Sequence, residues 1–158
     1  MTATRTIRFE VPSEALLKRL AAARLPVAVE DGDRRLEVFR DVYYDTPGGE
    51  LERKGAIVRI RHAQDGRCGL RIDIREVADN GVPRRHRAHG EVSSGDPEEV
   101  FAGDSEPARL LRALVAPERL ARAFELETMR SIRRGALPGE DPDVEVEIAY
   151  ETLTVRRG

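Results

Sequence analysis

Apolar and polar positions alternate with a period of two along much of this chain, the signature of half-buried strands. From Thr4 to Val11, the residues Ile7, Phe9 and Val11 oppose Thr4, Thr6, Arg8 and Glu10, which predicts a first strand. Pro12, Ser13 and Glu14 then open a helix whose stripe is Leu16, Leu17, Leu20 and Ala23, with Pro26 just past its end. Period two returns at Arg34, where Leu36, Val38, Val42 and Tyr44 alternate with Glu37, Asp41 and Asp45. The run Thr46-Pro47-Gly48-Gly49 breaks that strand, and Glu50 to Lys54 predicts a short helical turn. Strands are expected near Ala56–His62, Gly69–Val77 and Arg84–Ser93, the last two joined as a hairpin at Asp79-Asn80-Gly81.

Between Asp96 and Ala121 the spacing becomes helical, through Leu110, Leu111, Leu114 and Val115, with Asp104 or Ser105 as cap and Pro117 as stop. Two further strands, near Phe124–Arg134 and Val144–Val155, flank a turn over Gly135 to Asp143. About seven strands, mostly in hairpins, favour an antiparallel α+β barrel over a doubly wound sheet. The pattern shows no repeat and no linker, so 1–158 is read as a single domain.

The strands separate charge from bulk. Val58 and Ile60 oppose Arg59 and Arg61; Leu70, Ile72 and Ile74 oppose Arg71, Asp73 and Arg75. Arg85, Arg87, His89 and Glu91 share a face, and Val144, Val146, Ile148 and Tyr150 oppose Glu145, Glu147 and Glu151. Two arrangements give this pattern. One is an ordinary sheet with salt-bridged charges in solvent. The other is a barrel with the charged faces inward around a wet tunnel, wide enough for one ligand, and helices over the apolar faces. Periodicity alone does not choose between them.

Composition narrows the function classes. The 158 residues carry 27 basic and 29 acidic side chains, a formal net charge of -2, which points to neither a nucleic-acid binder nor an acidic tail. Only Lys18 and Lys54 are lysines; the other bases are arginines, whose planar fork suits phosphate oxygens. Tryptophan is absent and aromatics are 4%, against a base-stacking surface. The single cysteine, Cys68, cannot form an intrachain disulfide and is read as an inert small residue. No apolar run approaches the roughly 20 residues of a membrane span, so the expected setting is the cytoplasm, without membrane or nucleic-acid partners.

At Val42-Tyr43-Tyr44-Asp45-Thr46-Pro47, followed by Leu51, Gly55 and Val58-Arg59-Ile60-Arg61, the chain resembles the CYTH, or triphosphate-tunnel, family. That family includes class IV adenylyl cyclases, thiamine triphosphatases and inorganic triphosphatases. The resemblance covers nearly the whole chain. Thr4 to Phe9 falls on the family's ExExK motif, with Thr4 and Thr6 replacing the glutamates and Arg8 the lysine. Arg84 to Glu91 falls on its RxExE-like strand, with His89 in place of the first glutamate. Met129 to Arg134 resembles its basic strand, and Val146 to Glu151 its acid-bearing strand. The family usually continues past that strand into another acid-bearing strand, whereas Arg156-Arg157-Gly158 ends this sequence, so the resemblance implies a fragment, an open barrel, or a barrel closed by another segment.

The resemblance implies that Arg8, Arg59, Arg61, Arg71, Arg87 and Arg130 bind phosphate, and that Glu91, Glu147 and Glu151 hold Mg²⁺ or Mn²⁺. Asp73 is the alternative to Arg71 at the family's lysine position. His89 is read as a hydrogen-bonded structural residue and Tyr44 as packing. The ligand implied is a triphosphate or polyphosphate, bound in an arginine-lined tunnel with catalysis weakened by the loss of the two glutamates. The alternatives are an active Mg²⁺- or Mn²⁺-dependent triphosphatase or related phosphoryl- or nucleotidyl-transfer enzyme, and a ligand-free structural barrel. The sequence does not fix the oligomeric state.

Overall fold

A computed structural model describes residues 6–24, 28–77, 81–136 and 145–157. The elements are α1 (Glu14–Ala22), β1 (Ala28–Asp45), α2 (Glu50–Arg53), β2 (Ala56–Ala63), β3 (Cys68–Val77), β4 (Pro83–Val92), α3 (Pro97–Ala102), α4 (Glu106–Leu114), a 3₁₀ turn (Pro117–Arg119), β5 (Ala121–Ala136) and β6 (Glu145–Arg157). The strands form one six-stranded antiparallel sheet in the order β4-β3-β2-β1-β5-β6. Among the described residues this sheet is not closed, and β4 and β6 are its end strands. The residues fall into two compact units: 37–129 with 153–158, and 1–36 with 130–152.

In the first of these units, register and alternation build a two-faced sheet. Val42 lies opposite Ile60, and Ile60 opposite Leu70; Val58 lies between Tyr44 and Ile72. These residues are buried and form the core with Ile74, Ala88 and Leu51. Val100 and Phe101 of α3, and Ala108 and Leu111 of α4, cover them. The ring of Phe101 meets Tyr44 edge-on with centroids 5.1 Å apart, so Tyr44 is a packing residue, as expected. Each fully buried Leu or Ile here contributes roughly 1.5–3 kcal/mol.

The covering helices begin where the sequence supplies caps. Asp96 accepts hydrogen bonds from Glu98 N and Glu99 N at 2.8 and 3.4 Å, with Pro97 in the first turn of α3. Ser105 accepts from Ala108 N at 3.3 Å and starts α4, the second of the two predicted caps. Arg112 donates to the carbonyls of Phe101 and Gly103, 2.7 Å each, and so ties α4 to the end of α3.

In the other unit, Ser13 caps α1 through Leu16 N at 3.2 Å. Arg133, 8% exposed, donates to Ala21 O and Ala23 O at 3.2 and 2.8 Å and satisfies carbonyls at the end of α1. β6 alternates exposed glutamates with half-buried Val146, Ile148 and Tyr150, as its pattern predicts.

The expected first strand is not found. Residues 6–11 are neither helix nor strand, and Ile7 and Phe9 are 63% and 85% exposed. Alternation supplies a strand's side chains but not a partner for its backbone, and among the described residues 6–11 are paired into no sheet. Thr4 lies outside the described residues, as do Pro26, Asp79, Asn80 and most of the Gly135–Asp143 turn.

Candidate functional site: an arginine face braced by two aspartates

The face of β1–β4 opposite the helices carries the chemistry. Asp41 pairs in register with Arg61, Arg61 with Gly69, and Gly69 with Glu91. Tyr43 pairs with Arg59, Arg59 with Arg71, and Arg71 with His89; Asp73 pairs with Arg87. Directly opposed residues share a face, so Arg59, Arg61, Arg71 and Arg87 lie on one face of the sheet. Arg85 joins them through its bonds to Asp73.

Like charges this close repel, and two aspartates relieve the repulsion. The side chain of Asp41 is 2% exposed. It accepts from Arg61 Nε and Nη2, both at 2.8 Å, and from Arg59 Nη1. The Arg61 guanidinium also lies over the Phe39 ring, 3.6 Å from its centroid. Burial alone would lower the Arg61 pKa, but the hydrogen bond and charge of Asp41 outweigh it and raise it.

Asp73 is the second brace, its side chain 11% exposed. It accepts from Arg71 Nε at 2.7 Å, Arg87 Nε at 2.8 Å and Arg85 Nε at 3.2 Å. Burial pushes its pKa up, yet the hydrogen bonds from Arg71 and Arg87 and the charges of Arg71 and Arg85 hold it well below the ordinary 3.8. A depressed carboxylate stabilises the fold above its unfolded-state pKa, and that contribution is lost as pH falls through the folded value. The protein is therefore expected to lose stability progressively below about pH 4, and Asp73→Asn to flatten that acid limb. Urea midpoints measured from about pH 5 to about pH 2 check this; parallel acid limbs for both proteins would refute it.

The strongest letters of the sequence motif serve the backbone. Asp45 Oδ1 accepts from Thr46 N at 2.6 Å and Leu51 N at 2.9 Å, and Oδ2 from Glu52 N at 3.1 Å. Thr46 Oγ1 accepts from Glu50 N at 3.0 Å. Together they satisfy the amides that open α2.

The other expected residues have surroundings of their own. Arg8 is exposed in the non-strand stretch before α1. Arg130 bonds Glu151 at 2.5 Å, and Arg134 bonds Glu147 at 2.9 Å. Glu91 shares the β4 face with Arg87 but is exposed. His89 is exposed and stands opposite Arg71 in the ladder. Cys68 Sγ lies 3.6 Å from His62 Nδ1 across the β2–β3 hairpin.

The candidate metal ligands are best described by their own partners. Among the described residues no three His, Cys, Asp or Glu side chains come together to hold an ion. Glu147 and Glu151 each face an arginine, and Asp41 and Asp73 are saturated by arginines. This donor set does not fit Mg²⁺, which takes carboxylate and water oxygens in near-octahedral array. No helix is long and apolar enough to cross a membrane among the described residues.

Sequence reasoning missed Asp41 and Asp73 as organisers. Aspartate is depleted in strands, and one at mid-strand opposite arginines was the available signal.

No curated protein sequence matches the chain. Two solved structures share its fold at low identity. One, from Hippeastrum, is described as a candidate adenylyl cyclase with a dominant triphosphatase activity; it has 17% identity and TM-score 0.52, over 89% of this chain and 75% of that one. The other, a candidate adenylate cyclase from Bacillus halodurans, has 18% identity and TM-score 0.53 over the same shares. The CYTH domain family model matches residues 6–153, nearly the whole chain, and the chain belongs to the CYTH family.

Proposed function

We propose that the protein binds a triphosphate or inorganic polyphosphate chain on the arginine face of β2, β3 and β4. Family membership supports a triphosphate-related function. The observation that carries the reading is the charge balance of the cluster. Arg59, Arg61, Arg71, Arg85 and Arg87 are ion-paired to two carboxylates, Asp41 and Asp73, and even with Glu37 and Glu91 nearby positive charge remains in excess on a partly buried face. Guanidinium forks match phosphate oxygens in geometry as well as charge. Arg59 and Arg61 are the leading anchors, with Arg71 and Arg87 beside them. Arg8 and Arg130 are further phosphate contacts proposed from the family pattern.

Members of the family generally depend on a divalent metal. Here Glu147 and Glu151, two of the three acids that would supply one, are engaged by arginines, which favours binding over turnover. The competing reading is a triphosphatase, the activity named for the Hippeastrum neighbour. Phosphoryl transfer needs its developing charge neutralised, and in this chain the arginines are the groups able to do so.

Isothermal titration with tripolyphosphate, with and without Mg²⁺, paired with a phosphate-release assay, separates the cases. Saturable binding with little release is the expected result. Robust metal-dependent release would make the protein an enzyme. No heat of binding under either condition would leave the face as a structural salt-bridge array.

A further inference from the structure

We propose that Asp41 and Asp73 are positioning residues for the polyphosphate site, each aiming a set of arginines rather than merely balancing their charge. The inference rests on the function proposed above and adds residues that the family pattern did not point to.

The geometry of the ion pairs carries it. Arg61 meets Asp41 side-on, through Nε and Nη2. Arg71 meets Asp73 in the same way, through Nε at 2.7 Å and Nη2 at 3.3 Å. Arg85 uses Nε at 3.2 Å and Nη2 at 3.0 Å, and Arg87 uses Nε at 2.8 Å. A guanidinium held by its Nε side keeps the donors at its outer end. The carboxylates therefore occupy the inner edge of these four arginines and leave the Nη1 end for another acceptor, whereas Asp41 takes Arg59 by its Nη1. Nothing else among the described residues takes that end of Arg61, Arg71, Arg85 or Arg87.

Exposure runs in the same direction. The carboxylates are the buried partners, 2% and 11% exposed, while Arg61, Arg71, Arg85 and Arg87 are 34%, 28%, 48% and 48% exposed. A buried acid beneath a layer of half-open arginines is a foundation rather than a competitor at the surface. Arginine side chains are long and rotamer-rich, so an unbraced arginine must be ordered by the ligand at a cost in affinity. A braced one arrives already ordered.

Charge alone and positioning predict opposite signs. If Asp73 acted only through its charge, removing it would make the face more positive and tighten polyanion binding. If it positions arginines, removing it weakens binding although the net charge rises.

The test is titration of tripolyphosphate into the full-length parent, Asp73→Asn and Asp73→Glu, at a temperature where circular dichroism shows all three folded. The expected result is affinity weakened about tenfold by Asp73→Asn and largely kept by Asp73→Glu. Asp41→Asn, which frees Arg59 and Arg61, is expected to act in the same direction. If Asp41→Asn does not fold, the Asp73 pair still decides. Equal or tighter binding by Asp73→Asn overturns the inference while leaving the function intact. Equal losses in Asp73→Asn and Asp73→Glu also overturn it, since any disturbance of the strand would then suffice. A parent protein that does not bind tripolyphosphate removes the proposed function, and this inference with it.

Discussion

Replacing Arg59 and Arg61 together by alanine is expected to abolish most of the rise in melting temperature that tripolyphosphate gives the parent protein. A ligand that binds only the folded state stabilises it by mass action. Each charge-assisted hydrogen bond contributes about 1.5–3 kcal/mol, so losing both arginines lowers affinity by roughly two to four orders of magnitude. The same change strands Asp41, whose side chain is 2% exposed, without a cation. An uncompensated buried charge costs about 3–5 kcal/mol, so the double variant also melts earlier on its own. Adding Asp41→Asn removes that charge and isolates the ligand effect. The comparison is the ligand-induced shift, not the absolute melting temperature. If the triple variant shifts as far as the parent, these arginines are not the phosphate clamp.

Gly55→Ala should give the largest single-residue loss of stability. Gly55 sits at the entrance to β2 with φ 67°, a region that L side chains enter at a cost of about 1–2 kcal/mol. A Cβ there would stand 2.4 Å from the carbonyl oxygen of Arg75. That oxygen is backbone in β3, and Arg75 N bonds Gly55 O at 2.9 Å, so neither chain has room to withdraw. Strain and clash together should cost about 2–4 kcal/mol, a fall of roughly 10 °C in a domain of this size. Thermal unfolding followed by circular dichroism measures it. A shift below about 2 °C would mean that the strands part more easily than their bonding implies.

The two-faced strands were legible because period two is a direct image of the pleat. Arg59, Arg61, Arg71 and Arg87 could be grouped from parity before any register was known. The helix starts at Ser13 and Ser105 were legible as well, because a cap is a local interaction. Residues 6–11 were not, because a strand exists only through a neighbour that its own sequence does not name. The partners of the candidate metal ligands were illegible for a related reason. Glu147 and Glu151 stand at the expected parity, but parity says nothing about Arg134 and Arg130, which reach them from the adjoining β5. Asp73 was ambiguous in alignment, and only the register beside Arg87, with the bonds from Arg71 and Arg85, gave it a role.

The strict alternation of β2 also works as a reading frame. Odd positions serve the anion side and even positions serve the oil. Inserting or deleting one residue after Gly55 would turn Arg59 and Arg61 toward Leu111 and Phe101, and Val58 and Ile60 toward the arginines. Substitutions can thus tune one side at a time, whereas a single-residue length change damages both at once. Length variation in relatives of this chain should therefore collect outside the strands, as in the hairpin from Gln64 to Arg67, where Gly66 already turns the backbone at φ 84° and no side is assigned.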